Sequence, residues 1–149
     1  MEIKNFILGV LSVFVLNTIK SQSISFDKIG FTQNGDRSEN IEIISNKENF
    51  SPWWKIIVDN NKPLSTIDFE KERVIVVSRG TCATGSHGVS VDSVFQENDN
   101  LIVEITYTNP GDNCYTASVI IAPSVLIRIN NKDLPLVFRK KTIIKDCEH

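Results

Sequence analysis

The chain lacks most of the features by which nucleic-acid binders, metalloproteins and membrane-spanning proteins are read from sequence. Its 149 residues carry 16 basic and 18 acidic side chains, for a formal net charge of −2 at pH 7. The basic field that holds a phosphate backbone is missing, so nucleic acid is not expected as a partner. Histidine occurs only as His87 and His149, and none of the three cysteines, Cys82, Cys114 and Cys147, comes as a close pair. The ligand types of a zinc site are present without its spacing, so neither a metal nor another cofactor is expected. Internal repeats and low-complexity linkers are also absent. The apolar run from Phe6 to Leu16 ends at Asn17, Thr18 and Lys20. It falls well short of the roughly 20 residues that a membrane-spanning helix needs.

That short run is informative in another way. Lys4 ahead of it and small residues after it make the pattern of an export signal, with removal near Ser21 or Ser23. Residues 1–23 are therefore expected to be a signal peptide and 24–149 one mature domain. No cysteine stands where a bacterial lipoprotein would be acylated, so no membrane anchor is expected and the mature chain should be secreted or periplasmic. About 126 residues suffice for one compact core and not for two. Oxidation is the default outside the cytosol. Three cysteine pairings are possible; Cys82 with Cys114 is preferred because both sit in glycine-containing turns at strand mouths. Such a bridge would contribute on the order of 3 to 4 kcal/mol in the chain-entropy model, leaving Cys147 as an end thiol or an intermolecular partner.

Along the mature chain the pattern is mainly β. The segment Ile24–Phe31 alternates weakly, Gln33–Asn40 contains an Asn-Gly turn signal, and Ile41–Ile44 is a short β-branched run. One helix is expected next. Asn46 or Ser51 can cap it, Pro52 suits a first helical position, and Trp53, Ile56 and Ile57 fall on one face before Asp59-Asn60-Asn61 and Pro63 end it. Val74-Ile75-Val76-Val77 reads as a strand buried on both faces. His87 to Phe95 and Leu101 to Tyr107 alternate with period two around the turn Glu97–Asn100, which predicts a long antiparallel hairpin in which His87, Val89, Val91, Ser93 and Phe95 share a face. Thr116–Ala122, Val125–Ile129, Leu136–Phe138 and Ile143-Ile144 supply further strands, with Pro123 and Pro135 at their starts. The fold class is mainly β (α+β), an antiparallel β-sandwich or partial barrel with one helix covering an open end.

No residues stand in a convincing catalytic constellation. Cys82, His87 and Asp92 have the types of a thiol nucleophile, base and orienting acid, but strand parity sends His87 and Asp92 to opposite faces. Glu70, Glu72, Asp92, Glu97, Asp99 and Glu104 lie in turns or on outward positions, with no pair directed to a shared cleft. Arg139-Lys140-Lys141 with Lys145 reads as a solvated edge strand. Trp53 is read as core and Trp54 as partly exposed.

The order helix with tryptophan, Ile67-Asp68-Phe69, β-branched strand, Gly80 turn, Thr84-Gly85 and alternating strand resembles the C-terminal domain of PrcB-type protease complex subunits, over about Phe26 to Ile129. Where that family commonly has Thr-Gly-Gly-Tyr, this chain has Thr84-Gly85-Ser86-His87. The resemblance implies an exported, non-catalytic accessory domain that docks on another exported protein, a protease among the candidates. Contact elements are expected at the Gly80–Gly88 turn, the Asn109–Tyr115 turn and the helix, with Trp54, Thr84, His87, Asn113 and Tyr115 as candidate binding residues. The alternative is an enzyme or protease inhibitor whose reactive loop is the Gly80–Gly88 turn.

Overall fold

The structure is a computed structural model and describes residues 21–57, 67–130 and 133–147. The expected signal peptide therefore lies almost wholly outside the described residues. Among the described residues, eight strands and one helix follow in the order β1 (Ser21–Ser23), β2 (Phe26–Thr32), β3 (Asn40–Ile44), α1 (Lys47–Ile57), β4 (Glu72–Ser78), β5 (Gly88–Glu97), β6 (Asn100–Pro110), β7 (Ser124–Asn130) and β8 (Leu136–Lys145). They form two four-stranded sheets, β1-β5-β6-β8 and β2-β7-β4-β3. The architecture is a sandwich and not a closed barrel.

The interior follows from strand parity. Ile75, Val77, Val125, Ile127 and Ile129 of one sheet meet Val89, Val94, Leu101, Val103, Ile105 and Tyr107 of the other. The alternate residues of the central strands, Val74, Val76 and Leu126, point outward into a second cluster with Ile44 and Phe50. β4 is thus buried on both faces, as its unbroken β-branched run demands. The helix covers the outer face of β2-β7-β4-β3 and not an open end of the sandwich. It lies close against β2, where a Cβ on Gly30 would overlap Ile57 Cγ2.

Several local expectations change for identifiable reasons. Asn46 caps the helix, its Oδ1 accepting from Asn49 N at 2.9 Å, so the helix starts one turn earlier than Ser51 would place it and Pro52 lies inside it. Pro52 is the sixth helical residue, beyond the unpaired N–H groups of the first turn, so the helix forgoes one i→i−4 hydrogen bond there, that to Glu48 O. This start makes Phe50 the buried anchor, 1% exposed, while Ile56 is 49% exposed. Trp53 and Trp54 are both half-buried. Trp53 Nε1 donates to Glu42 Oε2 at 2.9 Å, and Trp54 packs tilted on Phe50 with ring centroids 5.6 Å apart.

The β5–β6 hairpin forms, but the pairing shifts between Val91 and Ser93. The extra residue, Asp92, reverses the parity beyond it, so Val94 enters the core in place of Phe95. Thr116–Ile120 joins no strand; its neighbours Ile121 and Ala122 make only isolated bridges to Cys82 and Asn34. β8 returns parallel to β6 along an edge. Three of its cations form ion pairs there, Arg139 with Glu97, Lys140 with Glu39 and Lys141 with Asp92.

Candidate functional site

Two turns at one end of the sandwich come together around Arg79. β4 ends at Ser78, whose Oγ accepts from Ser124 Oγ at 2.8 Å in a buried pair that ties β4 to β7. Arg79 follows, and its guanidinium donates to Gly88 O at 2.9 Å, to Thr108 O and to Asn109 Oδ1. The same group lies 5.4 Å from the ring centroid of Tyr107. One planar cation therefore ties the exit of β4 to the start of β5 and the end of β6, a use of the guanidinium fork that an ammonium cannot reproduce.

The chain then turns at Gly80, where φ is +85° and a Cβ would stand 2.8 Å from the backbone nitrogen of Glu39. Only glycine meets both demands without strain. Thr81 N donates to Arg37 O at 3.0 Å, Cys82 exchanges backbone hydrogen bonds with Ile121 at 2.8 and 3.0 Å, and Gly85 N donates to Ala117 O at 3.2 Å. The Gly80–Gly88 turn is in this way strapped to the segment that follows the second turn.

The second turn is closed by the C-terminus. Cys114 is bonded to Cys147, 33 residues away, with Cα atoms 5.1 Å apart, and Cys82 is the free thiol. The expected Cys82–Cys114 bridge is thus corrected. β8 runs parallel to β6 and pairs Lys145 with Pro110, which carries Cys147 to the turn that begins at Gly111. Cys82, in contrast, is held against Ile121 by its backbone, and its Sγ has Gly80 O as its hydrogen-bond acceptor at 3.8 Å. The two turns are nevertheless adjacent, joined by Arg79, by the Gly85–Ala117 bond and by His87 Nδ1, 3.2 Å from Asn109 Oδ1.

Between them lies a cleft of about 410 Å³ lined by Ser86, Thr108, Asn109, Pro110, Cys114, Lys145, Asp146 and Cys147. Beside it the segment Tyr115–Ile120 is open to solvent. Tyr115 is 99% exposed, Ile120 74% and Val119 45%. Among the described residues, only Val119 within that segment donates its N–H to a backbone carbonyl, that of Ala117.

Tyr107 is the most perturbed group nearby. Its burial, then the negative charge of Glu39 and the hydrogen bond to that carboxylate, push the phenol up to about 12. Glu39 itself is held below the usual carboxylate range by the hydrogen bond from Lys140. For Asp92, burial acts upward, but hydrogen bonds from Thr106, Lys141 and Ser90 outweigh it and lower the carboxyl.

Of the candidate binding residues, Thr84, His87, Asn113 and Tyr115 fall on these two turns. Asn113 is engaged with Cys147, donating from Nδ2 to its carbonyl and accepting from its N–H, both at 3.2 Å. The Thr84 hydroxyl oxygen is shut off from solvent with no hydrogen-bond partner among the described residues. Trp54 lies elsewhere, in the helix-side cluster on the outer face of β4. Cys82, His87 and Asp92 are not assembled: His87 meets Asn109, while Asp92 meets Thr106 and Lys141. Sequence reasoning missed Arg79, although a lone charge between a fully buried strand and a glycine is the signal that marks it.

Searches among curated proteins and among solved structures each find no match. A family model described as PrcB C-terminal matches residues 73–130, a span that contains β4 to β7 nearly complete, with both turns. The matched stretch is narrower than the Phe26–Ile129 span of the resemblance and leaves out α1, β8 and Cys147. From Arg73 to Asn130 the chain is therefore similar to the PrcB C-terminal family.

Proposed function

We propose that this protein is an exported, non-catalytic accessory domain that docks on another exported protein, with a protease of the same envelope as the leading partner. The family match supports a protease-complex-associated role. The observation that carries the docking surface is the exposed row Tyr115, Val119 and Ile120 on backbone that is largely unpaired. Exposed apolar side chains grouped in this way mark interaction sites, and free backbone groups add the option of pairing with an extended partner strand. The Gly80–Gly88 turn forms the adjoining wall, held in place by the Gly85–Ala117 bond. Export rests on the Lys4 and Phe6–Leu16 pattern.

The test is a tagged full-length chain expressed in its own cell. Its mature N-terminus is read by mass spectrometry, and co-purifying proteins are identified from the envelope and secreted fractions. The reading expects cleavage near Ser21 to Ser23 and a stoichiometric exported protease that is lost in Tyr115→Ser/Ile120→Ser. An uncleaved N-terminus refutes export. A partner retained by the double variant refutes this surface.

A further inference from the structure

The final strand is held to the domain unevenly. β8 pairs with β6 over ten positions, from Leu136 opposite Leu101 to Lys145 opposite Pro110. Its first half is anchored, because Leu136 and Phe138 reach the interior and Arg139, Lys140 and Lys141 form ion pairs with Glu97, Glu39 and Asp92. Beyond Lys141 every residue as far as Asp146 is exposed, Ile144 to 74%. A strand end with no fully buried side chain, Ile143 itself being 42% exposed, leans on its ladder hydrogen bonds, and a parallel ladder is the weaker kind. The remaining ties gather at the tip: Gly111 N to Lys145 O at 2.9 Å, the two Asn113–Cys147 bonds and the Cys114–Cys147 bridge. Only the last is covalent. Lys145, Asp146 and Cys147 also line the 410 Å³ cleft, together with Ser86, Thr108 and Asn109.

We propose that the Cys114–Cys147 bridge is a redox latch: its reduction frees Thr142–Cys147 from β6 and opens the cleft, while the sandwich stays folded. A thiolate of an external dithiol attacks one bridge sulfur to give a mixed disulfide, and the second dithiol sulfur displaces it. Two electrons pass to the bridge and two protons are taken up by the released cysteines, while the dithiol becomes a cyclic disulfide. β6 keeps its antiparallel pairing with β5, so Ile105 and Tyr107 remain in the core. Release uncovers the β6 edge at Asn109 and the start of the turn at Gly111. The latch does not depend on the identity of any docking partner.

Amide hydrogen exchange by mass spectrometry on the full chain tests it, comparing the oxidised protein, the protein reduced with dithiothreitol, and Cys147→Ser. Exchange at residues 142–147 and at Asn109 and Gly111, whose N–H groups face β8, is expected to accelerate about tenfold or more in the reduced protein and in the variant, with β4 and β7 unchanged. Unchanged exchange at the strand end overturns the latch. Equal acceleration in β4 and β7 also overturns it, because the bridge is then a staple of the whole fold. Cys82→Ser is run in parallel: the dithiothreitol effect persists there if the bridge is the latch, and its disappearance assigns the effect to the free thiol and refutes the proposal.

Discussion

Arg79→Lys keeps the charge at the hub of the two turns and removes the fork. The guanidinium serves Gly88 O, Thr108 O and Asn109 Oδ1 together and lies over Tyr107. Hydrogen bonds to a charged group contribute roughly 1.5 to 3 kcal/mol each, and a cation over an aromatic ring about 0.5 to 1 kcal/mol at an open site. Arg79 is half-buried, so values at the low end apply and solvent replaces part of what is lost. A lysine ammonium can satisfy one of the three acceptors. The expected cost is about 2 to 3 kcal/mol, or a fall in Tm of about 6 to 12 °C for a domain of this size. Thermal unfolding followed by circular dichroism measures it, and limited proteolysis should show faster cleavage between Gly80 and Gly88. A loss below about 0.5 kcal/mol, the range of an ordinary surface substitution, would mean that the turns are positioned by their backbone bonds alone.

Non-reducing peptide mapping after alkylation should label Cys82 and leave Cys114 linked to Cys147; a Cys82–Cys114 peptide would refute the C-terminal closure. Phe50→Ala empties a fully buried aromatic site under the helix and should cost about 3 to 5 kcal/mol in urea unfolding. A cost near 1 kcal/mol would show that the helix is not anchored there. Tyr107 has a folded pKa raised from 10.0 to about 12, so its neutral form contributes stability that is fully present below the unfolded value and lost as pH rises through the folded one. Stability should decline across that window in the parent and less steeply in Tyr107→Phe, by urea midpoints; parallel profiles would contradict the burial of the phenol. Asp92 is lowered, so its contribution is present above the ordinary carboxylate range and lost as pH falls through the folded value. Asp92→Asn should weaken the protein near neutrality and converge with it in acid, and a constant difference would exclude this ionisation as the cause.

Legibility differed from element to element. Val74–Val77 read correctly because a β-branched run has few places to go except between two apolar layers. The hairpin read correctly up to Asp92, where one extra residue moved Val94 inward in place of Phe95. A bulge leaves no mark in a period-two pattern until the partner strand is placed against it. Thr116–Ile120 has the composition of a strand and pairs with none, since its neighbours Ile121 and Ala122 are taken by the Gly80–Gly88 turn and by Asn34. The two turns were legible as elements. Their union was not, because Arg79 reaches residues 9, 29 and 30 positions away.

The sequence by itself determined the layered β character, the central strand, the place of the turns and the edge character of the basic strand. These follow from side-chain periodicity, turn chemistry and charge, all of them properties of neighbouring residues. Tertiary structure alone decided which cysteines meet and which face the helix covers. It also decided that β8 lies parallel to β6 and so brings the C-terminus to the second turn. Such outcomes depend on how distant segments dock, and the energies that select one docking over another arise only when the two surfaces are in contact.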